Sequence, residues 1–327
     1  ISPEGGPYIK PENLPERGRA LFEVAKEVPG IKTPAVWLPH GILGISTSEM
    51  VNIPKDNRFG PFAGQLLVGD EGQSKISRVF LEKVKGQYQG GAVLFREGFR
   101  SGVMRMTWGH DGSLYVGQTN RGWGSTGPDD YALERVVFTG RNPFEILKVS
   151  AQPDGFEIEF TEPVDKASAE DVNGYDITGF IYKYHPVYGS PVIDDQNCAI
   201  KGIRVSPDGK KVRLLVEGLR EKYIHEIKLP GLRNGQGSAL WHNTAYYTLH
   251  AVPDGAKLTG YKAVKATPRT APEAAAAHVH GHMSKLAKRT VTQPAEWSNG
   301  PDQTFVMGTE PGLHFDKKEL TVKAGSR

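Results

Sequence analysis

Apolar residues in the first half of the chain come in short runs, each bounded by Gly, Asp or Asn. GQLLVGDEGQ, KISRVFLEKV, VMRMTW and GSLYVGQTN are such runs, and they recur at intervals of about 8 to 20 residues. That spacing is the signature of antiparallel strands joined by turns, as in a meander or a propeller blade. His110-Asp111-Gly112 predicts a hairpin turn leading into a strand at Leu114-Tyr115-Val116, after which Gly117 to Asp130 forms a long polar loop. A 3.6-residue period is found only in ERGRALFEVAKEV, so a helix is predicted over residues 16–28.

The pattern changes near residue 146. Phe156, Ile158 and Phe160 alternate with polar residues, and so do Val212, Leu214 and Val216; each set turns one face of a strand into a core. Together with their neighbours they predict about seven short strands over residues 146–253. Within this stretch, KYHPVYGSPVIDDQNCAI is longer than a strand connection needs, and loops of that length tend to be functional or docked. Tyr182, Tyr184, His185 and Tyr188, with Asp194 and Asp195, are candidates for an interdomain contact or a ligand surface. His185 with the two acids would need a third donor to hold a metal. After Pro253 the apolar period fades, and Pro, Ala and cations dominate, as in a linker over residues 254–300.

Composition fits an all-β reading, since 39 Gly and 23 Pro in 327 residues imply frequent turns. A net charge of +3, from 40 cations and 37 anions, gives no footprint for nucleic acid. No apolar run reaches the roughly 18 residues of a membrane span. The single cysteine, Cys198, excludes an internal disulfide, a paired-cysteine redox centre and a zinc ribbon. The N-terminal ISPEGGPYIKPENLPERG has neither an initiating Met nor the order of a secretion signal. It predicts that the sequence is a piece of a longer one, and the closing GLHFDKKELTVKAGSR, which leads towards a strand that does not follow, predicts the same.

Three segments carry resemblances. GQLLVGDEGQSKISRVFLE, then LFREGF, then WGHDGSLYVGQTN resemble, in that order, the closing blades of the soluble quinoprotein sugar dehydrogenases of the glucose and sorbosone dehydrogenase type, over about residues 34–145. FTEPVD, SPDGKKV and YIHEIKLPGL resemble bacterial immunoglobulin-like domains, over residues 146–253. DQTFVMGTEPGLHFDKKELTVKAGSR resembles the first strands of a cupredoxin of the auracyanin, azurin and plastocyanin group, over residues 301–327. The resemblances imply partial propeller blades after an N-terminal segment (residues 1–33), a β-sandwich, a linker and the start of a copper domain.

The dehydrogenase resemblance implies pyrroloquinoline quinone (PQQ), a tricarboxylate held by cations. The family's two arginine positions fall here on Gly102 and Met104, and its lysine position near Gly72. Lys75, Arg100 and Arg105 stand close by as substitutes; the other reading of each is a solvated cation at a strand end. His40 in WLPHG is either a general base or a hydrogen-bonded turn histidine. In the long loop, Asn120, Arg121 and Trp123 can stack on a sugar or a partner protein, or Trp123 can pack down as a lid while Asp129 and Asp130 face water. His278, His280 and His282 have the spacing of a weak transition-metal clamp if the Ala run is helical, and otherwise belong to a solvated linker. The cupredoxin resemblance implies copper, but that family's ligands follow the part present here.

The resulting expectation is a fragment of a secreted or periplasmic oxidoreductase, in which a dehydrogenase-like propeller passes electrons from a carbohydrate or alcohol to copper, the chain by itself being inactive. Its expected partners are its own further blades and the rest of the cupredoxin, with no nucleic acid. The alternative is a non-catalytic propeller scaffold that binds carbohydrate or protein beside an adhesive sandwich.

Overall fold

The computed structural model describes residues 18–184 and 189–264, and the backbone of the strands Met307–Gly308 and His314–Phe315. The chain divides into two compact units, residues 1–283 and 284–327. In the second unit those two short strands pair antiparallel, Met307 opposite Phe315. The rest of the expected cupredoxin stretch lies outside the described residues, as do the histidines at 278, 280 and 282.

The described part of the first unit is all-β. Its strands are β1 (Thr47–Asn52), β2 (Leu66–Asp70), β3 (Lys75–Val84), β4 (Gln87–Glu97), β5 (Val103–Trp108), β6 (Leu114–Thr119), β7 (Tyr131–Val136), β8 (Ile146–Gln152), β9 (Gly155–Phe160), β10 (Asp176–Tyr182), β11 (Val192–Asn197), β12 (Ala199–Val205), β13 (Lys211–Glu217), β14 (Tyr223–Lys228), β15 (Thr244–Leu249) and β16 (Lys262–Ala263). They form three open sheets, of order β1-β2-β3-β4-β15-β14-β10-β11, β16-β12-β13-β9-β8 and β5-β6-β7. The runs of the first half become β2, β3, β5 and β6, and the His110–Gly112 turn joins β5 to β6 with the Gly112 N–H on the Gly109 carbonyl.

The predicted helix is much shorter than its period. Only α1 (Leu21–Val24) forms, started by the Glu23 carboxylate accepting the Ala20 N–H at 2.7 Å. Gly18 sits at φ +76°, outside helical space, and Pro29-Gly30 closes the downstream end.

The eight-stranded sheet crosses the change in sequence character at residue 146. Strand β4 pairs with β15 through Ala92 opposite Tyr246 and Gly91 opposite Tyr247. Strand alternation then distributes three cores over its two faces. On one face, Phe80 and Val93 join Phe156, Ile158, Val212, Leu214 and Tyr247 beneath the five-stranded sheet. On the same face but nearer β1, Ile76 and Phe95 join Phe59, Phe62, Met106 and Val116 beneath the small sheet. On the opposite face, Val79, Ala92, Phe180, Tyr182 and Tyr246 are covered by the segment containing Val36, Trp37, Leu38 and Leu43.

Arg78 stands on β3 between Ile76 of one core and Phe80 of the next, and it is 1% exposed. Its guanidinium donates to the Gln65 side-chain oxygen and the Ile146 carbonyl, both at 2.5 Å, and to the Leu147 carbonyl at 2.9 Å. The Phe62 ring lies 3.9 Å below it. Burial lowers its pKa to about 9, so the group keeps its proton at neutral pH. A second buried network lies further along the same junction. The Tyr247 hydroxyl donates to Glu82 of β3 and accepts from the Gln89 amide of β4 at 2.9 Å, while the Ala151 N–H of β8 donates to Glu82 at 2.7 Å. Polar groups buried this way are costly unless every partner is in place, so each network fixes one arrangement of the strands it joins.

Candidate functional site

An open cleft of about 350 Å³ forms where the N-terminal segment meets the end of β10. Among the described residues it is lined by Trp37, Leu38, His40, Tyr182, Lys183 and Tyr184, with Leu21, Gly189 and Ser190. Two segments supply the lining, each for a local reason. The apolar Val36-Trp37-Leu38 run covers the third core, and the Trp37 N–H is tied to the Thr248 hydroxyl of β15 at 2.8 Å. In the other segment, the backbone of Lys183 donates to the Pro191 carbonyl at 2.9 Å and that of Tyr184 to the Arg19 carbonyl at 2.6 Å. Chain on both sides therefore holds the strand end.

Tyr182 is the fixed point of the cleft. Its hydroxyl accepts the His40 N–H at 3.1 Å, and its ring lies 5.9 Å from Trp37 and 5.7 Å, edge to face, from Phe180. Burial raises the phenol to about 12, so it stays neutral. His40 and Tyr184, separate candidates in the sequence, are thus brought to one place. Trp37 and Lys183 complete it, and sequence reasoning missed both. The only available signal was the Tyr-Lys-Tyr order at residues 182–184, which alternates like any strand end. His185 and Tyr188 lie outside the described residues. Asp194, by contrast, accepts the Tyr223 hydroxyl at 2.9 Å.

The quinone positions are occupied differently from the resemblance. A Cβ at Gly102 would come within 2.5 Å of the Glu71 carbonyl and 2.7 Å of the Thr119 carbonyl, so the backbone there leaves no room for a side chain. Beside it is the Glu71 carboxyl, 6% exposed, with its pKa raised by burial. An anionic cofactor is not served by a buried acid. Lys75 is buried rather than solvated, its ammonium donating to the Ile42 carbonyl at 2.8 Å and its pKa lowered by desolvation. Arg100 pairs with Asp129 at the surface, and Arg105 donates to the Met104 carbonyl at 3.1 Å. Lys75 is engaged within the fold and Arg100 and Arg105 are exposed at the surface, so with the closed backbone at Gly102 and the buried Glu71 the described residues do not fit a bound tricarboxylate.

In the long loop, Asn120 is committed to its own turn, donating to Asp130 at 2.8 Å and accepting the Gly122 N–H at 2.8 Å. Arg121 takes a left-handed backbone conformation, φ +52°. Trp123 is 86% exposed, which corrects the lid reading: the loop is tied down by backbone bonds such as Thr126 N–H to the Gly72 carbonyl, leaving the indole no core to cover.

Among the described residues no three of His, Cys, Asp and Glu group to hold a metal, and no helix is long and apolar enough to cross a membrane. Cys198 is buried against the Gly218 carbonyl at 3.4 Å, with its pKa raised by burial, and so is not poised as a thiolate. His242 and Glu145 pair at 2.8 Å near the exposed Trp241, over which the Arg96 guanidinium lies at 5.5 Å. His225 is fully buried and pulled down to about 3, by desolvation first and then by the nearby Arg220 charge. No known protein family, curated protein or solved structure matches this chain.

Proposed function

We propose that residues 18–264 form a rigid, non-catalytic bracket within a secreted or periplasmic multidomain oxidoreductase, whose other parts oxidise a sugar or alcohol and pass the electrons to copper. The observation that carries the bracket is Arg78. One buried guanidinium stands between two cores on β3 and grips the two carbonyls, Ile146 and Leu147, at which the chain passes from blade-like strands to sandwich. The pairing of β4 with β15 adds backbone bonds across the same junction. A spacer that only tethered two domains would not need a shared sheet with buried polar bonds, whereas one that must keep them in fixed orientation would.

The oxidoreductase half rests on the segment order in residues 64–120 and on the cupredoxin-like pattern of residues 301–327. The burial of Lys75 on the Ile42 carbonyl and the closed backbone at Gly102 support the absence of turnover from this part. The test is dye-linked oxidation of aldoses and simple alcohols by the purified chain, with pyrroloquinoline quinone and calcium added. Rates should equal the protein-free blank. Turnover above it that titrates with quinone would overturn the non-catalytic reading.

A further inference from the structure

A second, smaller hollow opens beside Phe95 of β4, with an arginine at its rim. We infer that it binds a short branched-chain carboxylic acid, the alkyl group entering the hollow and the carboxylate meeting Arg96. Rings supply the floor. Phe59 and Phe62 pack against Phe95 with centroids 6.1 and 6.2 Å away, and with Val136 and Phe138 they leave a space of about 80 Å³. That is well below the volume of a drug-sized site and takes an apolar group of a few carbon atoms, its charged end remaining outside. The lining comes from residues 59–62, 95–96 and 136–143.

Charge sets the rest of the ligand. The Arg96 guanidinium lies 4.7 Å from the centre of the Phe95 ring and 5.5 Å from that of Trp241, so its place beside the floor is fixed by aromatic contacts. Stacking of this kind occupies the flat face of a guanidinium and leaves its in-plane N–H groups for acceptors. Nη1 donates to the Phe95 carbonyl at 2.5 Å, and among the described residues no carboxylate bonds the group. The acid that acts on it through charge, Glu145, is instead held by His242, whose Nδ1 and backbone N–H it meets at 2.8 and 3.2 Å. A half-buried cation with no bonded carboxylate suits an anionic acceptor, and the planar fork of N–H groups matches a carboxylate. Arg141, also in the lining, adds a second positive charge. Little ordering opposes binding: the floor rings pack on one another, and Trp241, 68% exposed, is tied down by its N–H on the Phe144 carbonyl at 3.0 Å.

The experiment is ligand-observed saturation-transfer NMR on the full 327-residue chain, titrating isovalerate, isovaleramide and acetate in parallel. Isovalerate should bind in the millimolar range, and the other two about tenfold more weakly, the amide for want of the charge and acetate for want of the alkyl group. Arg96→Met retains an aliphatic stem over Phe95 and should bring isovalerate to the level of its amide. Trp241→Ala, at an exposed position, should weaken isovalerate severalfold with an unchanged melting temperature, and it decides the matter if Arg96→Met does not fold. No transfer to isovalerate, equal affinity for the amide or for acetate, or undiminished binding in either folded variant would each overturn the proposal. None of these outcomes bears on the bracket, which rests on Arg78.

Discussion

Replacing Arg78 by Met should unfasten the junction between β3 of the eight-stranded sheet and the start of β8. Met fills much of the stem volume and keeps the contact with Phe62, so the loss is chiefly polar. Three acceptors lose a donor: the Gln65 side-chain oxygen and the carbonyls of Ile146 and Leu147. Leu147 retains the Gln65 amide at 2.9 Å, which leaves two acceptors to count. At about 1–3 kcal/mol for each buried group left unsatisfied, the gross cost is about 4 kcal/mol. Relief from burying a cation returns part of this, and removing one member of a buried charged network still costs on balance. A net loss of about 3 kcal/mol is expected, a large share of the roughly 5–15 kcal/mol that holds a domain folded. Urea titration followed by circular dichroism reads the total. Trypsin reads the location, because Arg141 lies in the connection just before β8 and should be cut faster once Ile146 and Leu147 are released. A loss under about 1 kcal/mol, with cleavage at Arg141 unchanged, would refute the assignment of Arg78 as the fastening residue.

Three other outcomes follow from buried or exposed groups. His225 has a folded-state pKa of about 3 against 6.5 when exposed, so its contribution to stability is complete above pH 6.5 and is lost as pH falls towards 3, where only the unfolded state takes the proton readily. Urea midpoints measured between those limits should therefore fall more steeply for the native chain than for His225→Gln, and equal slopes would contradict the burial argument. Gly90→Ala places a Cβ 2.0 Å from the Phe80 carbonyl, between β3 and β4, and should cost about 2 kcal/mol or more in a thermal or urea melt; a neutral result would show that the strands part easily there. Trp123→Ala should change stability by less than about 0.5 kcal/mol in the same titration, since the indole touches water over most of its surface, and a loss well beyond that would return it to a packing role.

What the sequence by itself determined is local and periodic. Alternation at Phe156, Ile158 and Phe160 and at Val212, Leu214 and Val216 identified paired core strands correctly, because a side chain's face in a strand depends only on parity. The Asp-Gly turn at residues 111–112 was legible for the same reason, turn geometry being a property of adjacent residues. Strand β4 was not recognised as a whole, since Gly90 and Gly91 weaken its strand signal; they are there because Phe80 and Tyr246 approach too closely for a side chain, which is knowledge of neighbours distant in sequence. Lys75 and Arg78 look alike in the KISRVF run, yet one donates to the Ile42 carbonyl and the other to the Ile146 carbonyl at the start of β8. The cleft is the clearest case. Trp37 and Lys183 are 146 positions apart in the numbering and become neighbours only because the eight-stranded sheet passes from the first half of the chain into the second. Strand faces and turns follow from near neighbours along the chain, whereas the fate of a charge and the membership of a cleft depend on which strands pair, and that is decided by burial summed over the whole sheet.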